Sequence, residues 1–342
     1  MKALRWYAKQ DLRYEDMPEP TPGPGQVKVK VHLAGICGTD MKEYTSGPCM
    51  IDPSKVPIVP GHEFAGKIAE VGEGVTSFKV GDRVTALGYW YCGDCYFCNR
   101  DMNNLCVNAG FTGLTAEGSL AEYVVLPAYA VFKLPDSVSD EAGALVEPLS
   151  VALHGVRQGN VSPGDRVAIV GDGTIGLCTL LAARAAGAAE VYTISKIKSR
   201  GKVAASMGAT AVIDADADPV AQIMDRTGGL GVDVSFECVG VPETPQVALD
   251  LARFAGTTVI MGVFNKPSTF DFMKVMFGQK KITGSSIYVH EADTAIALLA
   301  DKRIIADKLV TSIVPLKDAV KNAFEKLMVD MEHDIKILIK MP

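Results

Sequence analysis

From Arg166 onward the chain settles into a regular alternation. RVAIV is a short run of branched apolar residues, GDGTIG a glycine turn, and LCTLLAARAAG an apolar stretch closed by a glycine, which predicts strand, loop and helix in that order. EVYTI, TAVIDA, VDVSFECVG and TTVIMGV follow as further apolar runs. Between them lie SRGKVAASMG, PVAQIMDRTG and TPQVALDLARFAG, whose apolar residues recur at helical spacing. Strands that alternate with helices predict an α/β domain with a doubly wound parallel sheet.

The glycine turn carries the first candidate chemistry. In G-x-G-x-x-G, Gly171 permits the tight turn, Gly173 lets the backbone approach a pyrophosphate, and Gly176 lets the helix pack on the strand. Thr174 and Ile175 then open the helix, whose amino terminus faces the phosphates. An acid usually ends the second strand of such a unit and binds the ribose hydroxyls of NAD. Here that position falls on Ser195, followed by Lys196, Lys198 and Arg200. Hydroxyl and cationic donors suit a 2′-phosphate, so NADP(H) is expected over NAD(H). The same basic residues also read as a solvated helix start.

Metal chemistry is written earlier in the chain. Cys92, Cys95, Cys98 and Cys106 form C-x2-C-x2-C-x7-C, a spacing that lets four thiolates close around one zinc. With every position filled by sulfur, such a zinc is structural. Three other segments, GICGTD with Cys37, GHEFAG with His62 and Glu63, and ALVEPLS with Glu147, offer a thiolate, an imidazole and carboxylates. Each alone reads as an ordinary core or helix-start residue. Together they make a three-ligand zinc with an open fourth position, a Lewis acid able to activate an alcohol or a carbonyl.

Composition sets limits. The 342 residues, 48% hydrophobic and 22% charged, with 33 glycines, fit two domains better than one. No apolar run is long enough to cross a bilayer and the amino terminus lacks a secretion signal, so neither membrane insertion nor export is expected. Eight cysteines suit a reducing cytoplasm, where thiolates stay free to ligate metal. A formal charge of -6 argues against nucleic acid or an anionic membrane as partner and leaves a small molecule.

GICGTD, PGHEFAGKIAEVGEGVTSFKVGDRV, the four-cysteine lobe, NLCVNAGFTGL, DEAGALVEPLSVALHGV and GDGTIG follow one another in a set order over essentially the whole chain. In that order the chain resembles the zinc-dependent medium-chain alcohol dehydrogenases, in the branch of 2,3-butanediol and sorbitol-type polyol dehydrogenases. The resemblance implies a GroES-like, mostly-β catalytic domain over residues 1–149, a Rossmann domain binding NADP(H) over 150–288, and a return segment, 289–342, that completes the first domain. It implies one catalytic zinc on Cys37, His62 and a glutamate, Glu147 in preference to Glu63, and one structural zinc. The cofactor would lie between domains, its nicotinamide end near Val239, Gly240 and the Met261–Val263 segment with Gly262.

Thr39 would begin the proton relay, and Lys42 stands where many relatives carry the histidine that continues it. Ile287, beside Tyr288, replaces an arginine of the polyol enzymes, which favours short diols and acyloins over polyols. SGPCMIDP, with Cys49 as packing, resembles the pocket loop of butanediol dehydrogenases. The activity implied is interconversion of a short secondary alcohol or vicinal diol with its ketone. A polyol or amino-alcohol dehydrogenase is the alternative, and a non-catalytic NADPH-binding redox sensor a remote one. The family also implies a homodimer or homotetramer, with KITGSSI as a candidate edge.

Overall fold

A computed structural model describes residues 1–330 and 332–342. The chain opens with a hairpin of β1 (Lys2–Ala8) and β2 (Asp11–Asp16), followed by β3 (Gln26–Gly35), helix α1 (Gly38–Ser46) and β4 (Glu63–Val71). Short strands β5 (Arg83–Ala86), β6 (Tyr89–Trp90), β7 (Gly110–Phe111), β8 (Tyr123–Pro127) and β9 (Val131–Lys133) come next, then helices α2 (Asp140–Ala144) and α3 (Val146–Gln158). Alternating units follow: β10 (Arg166–Val170), α4 (Thr174–Ala185), β11 (Glu190–Ser195), α5 (Lys198–Ser206), β12 (Ala211–Asp214), α6 (Pro219–Arg226), β13 (Val232–Glu237) and α7 (Thr244–Leu251). After β14 (Ala252–Ile260), α8 (Phe272–Gly278), β15 (Lys281–Gly284) and α9 (Glu291–Ala300), the chain closes with β16 (Val310–Pro315) and β17 (Lys336–Lys340).

These elements form two units. The first comprises Met1–Glu147, Ala292–Lys302 and Val310–Pro342; the second comprises Pro148–Glu291 and Arg303–Leu309. The short Arg303–Leu309 segment groups with the second unit. In the first unit a sheet runs in the order β16-β17-β3-β4-β5-β9, with β8 also paired to β3. Alternate residues of β3 and β4, among them Val27, Val29, Val31, Phe64 and Ile68, bury against Leu126, Phe324, Ile337 and Ile339.

The second unit is a six-stranded parallel sheet in the order β12-β11-β10-β13-β14-β15. Counted from β10, that is the 3-2-1-4-5-6 order of a doubly wound dinucleotide fold, and its strand order reverses between β10 and β13. Ala168, Val170, Tyr192, Ile194, Ile213 and Val232 form part of its core with Ile223 of α6 and Ala248 of α7. One element differs from expectation. The helix read through TPQVALDLARFAG stops at Leu251, where the backbone enters strand at Ala252 opposite Val232. Arg253 then extends its guanidinium to Asp233, 2.7 Å away, so its charge is neutralised within the sheet edge.

Candidate functional site

Antiparallel pairing brings the first group of ligands together. Gly35, the last residue of β3, lies opposite Glu63, the first of β4. Two residues past one strand end is Cys37 and one residue before the other is His62, so segments 25 positions apart in sequence converge. The ligand atoms of Cys37, His62 and Glu63 all lie within 4.8 Å of one another. A Cβ at Gly35 would stand 2.3 Å from Glu63 Oε2, so a side chain there would displace that carboxylate.

Cys37 is also the N-cap of α1. Its sulfur accepts from the Thr39 N–H at 3.5 Å, and Thr39 Oγ1 lies 3.6 Å from it. Asp40, which the sequence analysis did not single out, completes the cap by accepting from the Cys37 N–H at 2.8 Å. Its other oxygen accepts from the Gly61 N–H at 3.2 Å. One buried carboxylate thus ties the Cys37 turn to the His62 turn. Burial raises the Asp40 carboxyl above its ordinary range, while the nearby imidazole of His62 opposes that rise.

Burial alone would lower the His62 imidazole, but the charge and hydrogen bond of Cys37, with the carboxylates of Asp40 and Glu147, hold it well above its ordinary value. Its Nδ1 is buried with no hydrogen-bond partner. A surplus of negative charge around an unpaired buried nitrogen is the environment of a bound cation, and thiolate, imidazole and carboxylate together suit zinc. The two glutamates differ. Glu63 is buried, and its Oε2 receives the Lys336 ammonium at 2.5 Å. Glu147, at the start of α3, stands outside the 4.8 Å group but faces it: the point where a Gly88 side chain would begin lies 3.3 Å from Glu147 Oε1 and 3.5 Å from His62 Cδ2. Cys49 is exposed, its sulfur 3.9 Å from the Lys42 carbonyl, and takes no part in the group.

The sulfurs of Cys92, Cys95, Cys98 and Cys106 form a second group within 4.8 Å. Their separations of 4.0 Å (Cys92–Cys98), 3.5 Å (Cys95–Cys98) and 3.5 Å (Cys92–Cys106) bracket the roughly 3.8 Å edge of a tetrahedron with Zn–S near 2.3 Å. Backbone N–H groups of Cys98 and Val107 bring the Cys95 thiol down to about 6, so its thiolate is at hand near neutral pH.

In the second unit Gly171 takes a φ of 114° and a Cβ on Gly176 would stand 2.1 Å from the Gly171 carbonyl, so turn and helix are in direct backbone contact. At Gly173, N-cap of α4, no atom lies within 4 Å of the Cβ position, which leaves the approach to Thr174 and Ile175 open. Across the strand-order reversal, Gly240 packs on Val263 and Gly262 on Gly240, each too closely for a side chain, while Val239 and Val263 keep exposed side chains.

The end of β11 carries one further group. Ser195 is indeed no acid, yet its hydroxyl donates to Asp172 Oδ2 at 2.6 Å, so a carboxylate from the glycine turn reaches that place. Lys196 is exposed, with its ammonium 3.7 Å from Asp216, and Arg200 lies on the first turn of α5. Ile287 has a φ of 52°, a conformation β-branched residues rarely take, beside buried Tyr288.

Both halves match known sequence families: residues 23–136 the alcohol dehydrogenase GroES-like domain and residues 174–301 the zinc-binding dehydrogenase domain. The chain is 38% identical to (R,R)-butanediol dehydrogenase of Bacillus subtilis over 99% of both chains. This chain belongs to the zinc-binding alcohol dehydrogenases. Members of that family similar to it include a sorbitol dehydrogenase of Halalkalibacterium halodurans, 35% identical over 87% of both chains. A zinc-binding dehydrogenase of Sinorhizobium meliloti solved with NADP superposes with a TM-score of 0.91, at 32% identity over 99% of this chain and 98% of that one. An alcohol dehydrogenase of Escherichia coli solved with NADH superposes at 0.93, with 29% identity over 99% of both. The protein is accordingly a zinc-dependent oxidoreductase with a GroES-like and a Rossmann domain. Among the described residues no helix is long and apolar enough to cross a membrane.

Proposed function

We propose that the protein interconverts a short secondary alcohol or vicinal diol with its ketone, 2,3-butanediol and acetoin being the model pair, and favours NADP(H). The observation that carries this reading is the convergence of Cys37, His62 and Glu63 at paired strand ends, with Glu147 facing them, in a chain 38% identical to a butanediol dehydrogenase. Cys37, His62 and Glu147 would hold the catalytic zinc, which would supply Lewis acidity toward an alcohol or carbonyl. Glu147 is preferred to Glu63 because the Lys336 ammonium already neutralises Glu63. Thr39, at the start of α1 beside the ligand sulfur, hands on the proton, and Lys42 sits one turn later on the same helix. Gly171, Gly173 and Gly176 hold the pyrophosphate, and Val239, Gly240, Gly262 and Val263 hold the nicotinamide end. Cys92, Cys95, Cys98 and Cys106 hold the structural zinc.

The preference for NADP(H) is supported by Ser195 at the strand end and by Lys196 and Arg200 beyond it. The sorbitol dehydrogenase relative supports polyol oxidation as a second reading, against which stands Ile287 in place of a cation. A homo-oligomer is favoured by the outer edge of β15, which has no partner strand among the described residues, and by the exposed Phe254 of β14 and Phe272, Met273 and Phe277 of α8. The eight cysteines favour a reducing cytoplasm. A spectrophotometric screen of NADPH and NADH against diketones, acyloins and ketoses tests the reading: turnover confined to ketoses overturns the substrate assignment. Glu147→Gln should lose one of two zincs per chain and Glu63→Gln should keep both; the reverse pattern exchanges their roles.

A further inference from the structure

We infer that Asp172 reads the adenosine ribose and sets how strongly the protein distinguishes a free 2′-hydroxyl from a 2′-phosphate. The inference rests on the glycine loop being the dinucleotide site, but not on which dinucleotide is preferred.

In doubly wound folds the ribose is met by an acid at the end of the second strand. Here β10 and β11 run parallel with Val170 beside Ile194, so the residue two beyond Val170 and the residue one beyond Ile194 meet at the carboxyl ends of the two strands. Those residues are Asp172 and Ser195. The Ser195 hydroxyl donates to Asp172 Oδ2 at 2.6 Å, and the Ile197 N–H points to the same oxygen at 3.4 Å. Asp172 is 7% exposed and Ser195 6%, so the pair is a fixed part of the turn and not a mobile surface contact. Oδ2 is therefore occupied, while Oδ1 has no hydrogen bond to any described residue and retains its capacity as an acceptor.

The chain has thus moved the acid from one strand end to its neighbour's turn. A ribose hydroxyl at that place would donate to Oδ1. A 2′-phosphate there would meet a fixed negative charge, offset by Lys196 and Arg200 from the beginning of the next helix. Lys196 is lightly tied, 3.7 Å from Asp216 and largely exposed, and is free to turn toward a phosphate. Selectivity is then a balance between one immobile anion and two cations, with Ser195 as the positioning residue for the anion. A missing acid at position 195 does not by itself remove recognition of an unphosphorylated ribose.

The test compares kcat/KM for NADPH with that for NADH in the zinc-loaded protein and its Asp172→Asn variant. The amide keeps the volume and an acceptor for Ser195 but removes the charge. The NADPH-to-NADH ratio should rise at least tenfold, through a higher KM for NADH and a lower one for NADPH. A ratio that stays within twofold of the parent overturns the inference, since a purely structural brace would weaken both dinucleotides alike. Lys196→Ala, at an exposed site, should shift the ratio the opposite way. Should Asp172→Asn fail to fold, Asp172→Ser carries the same expectation. A parent that prefers NADH, with a ratio that still moves, contradicts the NADP(H) preference and leaves this role for Asp172 standing. A parent that binds neither dinucleotide, measured by quenching of reduced-nicotinamide fluorescence, overturns the reading of the loop and this inference with it.

Discussion

Removing the Lys336 ammonium should damage the first unit more than any surface change, because the charge sits in the interior and serves two groups at once. Lys336 is 2% exposed; its ammonium donates to the Ile36 carbonyl at 2.8 Å and to Glu63 Oε2 at 2.5 Å. Ile36 adjoins Cys37 and Glu63 adjoins His62, so the pair braces both ligand turns from below. Lys336→Met preserves volume but leaves a buried carboxylate unpaired, at a cost of about 3–5 kcal/mol, and a carbonyl unsatisfied, at about 1 kcal/mol more. Pairing it with Glu63→Leu removes the stranded charge and should recover more than half of that loss. Both tryptophans, Trp6 and Trp90, belong to this unit, so their fluorescence during urea unfolding reports on it directly. Midpoint shifts multiplied by the common slope give the energies of the double-mutant cycle, and zinc content is read on the same samples. A single variant within about 1 kcal/mol of the parent would show that the ion pair is solvated or replaceable, and the bracing argument would fall.

Three further outcomes follow from other parts of the molecule. Cys92→Ser should reduce bound zinc from two per chain to one; losing even about 3 kcal/mol of the 10–16 kcal/mol such a site supplies lowers melting by roughly 6–12 °C, which calorimetry checks. Burial would raise the Glu291 carboxyl, but hydrogen bonds from His154 and the Val289 N–H and the charges of His154 and Arg157 bring it from 4.5 to about 2. Its stabilising contribution is thus complete above pH 4.5 and disappears as the pH falls toward 2. Glu291→Gln should flatten the melting temperature against pH across that window, and an unchanged acid limb would count against the pairing. Ile287→Arg introduces a hydroxyl-binding cation and removes the β-branching, though not the Cβ, from a residue at a φ of 52°; the added cation should raise the sorbitol-to-butanediol ratio of kcat/KM at least tenfold.

What could be read from the sequence was whatever is local. RVAIV sits on an interior strand and is buried from Val167 to Val170, so after its arginine it is written as an unbroken apolar run, and GDGTIG needs its glycines for contacts only a few residues away. The four-cysteine lobe closes within 15 positions, short enough for spacing to specify it. The end of α7 was misplaced because ALDLARFAG keeps a helical rhythm, and only pairing with β13 and the Arg253–Asp233 contact draw Ala252 onward into the sheet.

The groups that escaped the sequence are charged residues whose partners arrive from another strand. Asp40 looks like a helix-start acid three residues after Cys37, and its second bond, to Gly61, exists only because β3 and β4 pair. Lys336 lies 273 positions from Glu63 and meets it because β17 pairs with β3. Asp172 was passed over as one of the variable residues of a glycine turn, although parallel pairing of β10 with β11 sets it against Ser195. In each case sheet register does the selecting, since it fixes which side chains face one another to within one residue. A one-residue slip of β17 against β3 would carry Lys336 out of the interior and strand Glu63, so the register and the ion pair enforce each other. The Cys37–His62 pair and the Asp172–Ser195 pair share this origin: each lies at or just beyond strand ends, where pairing has already fixed the backbone and the next one or two residues can carry chemistry.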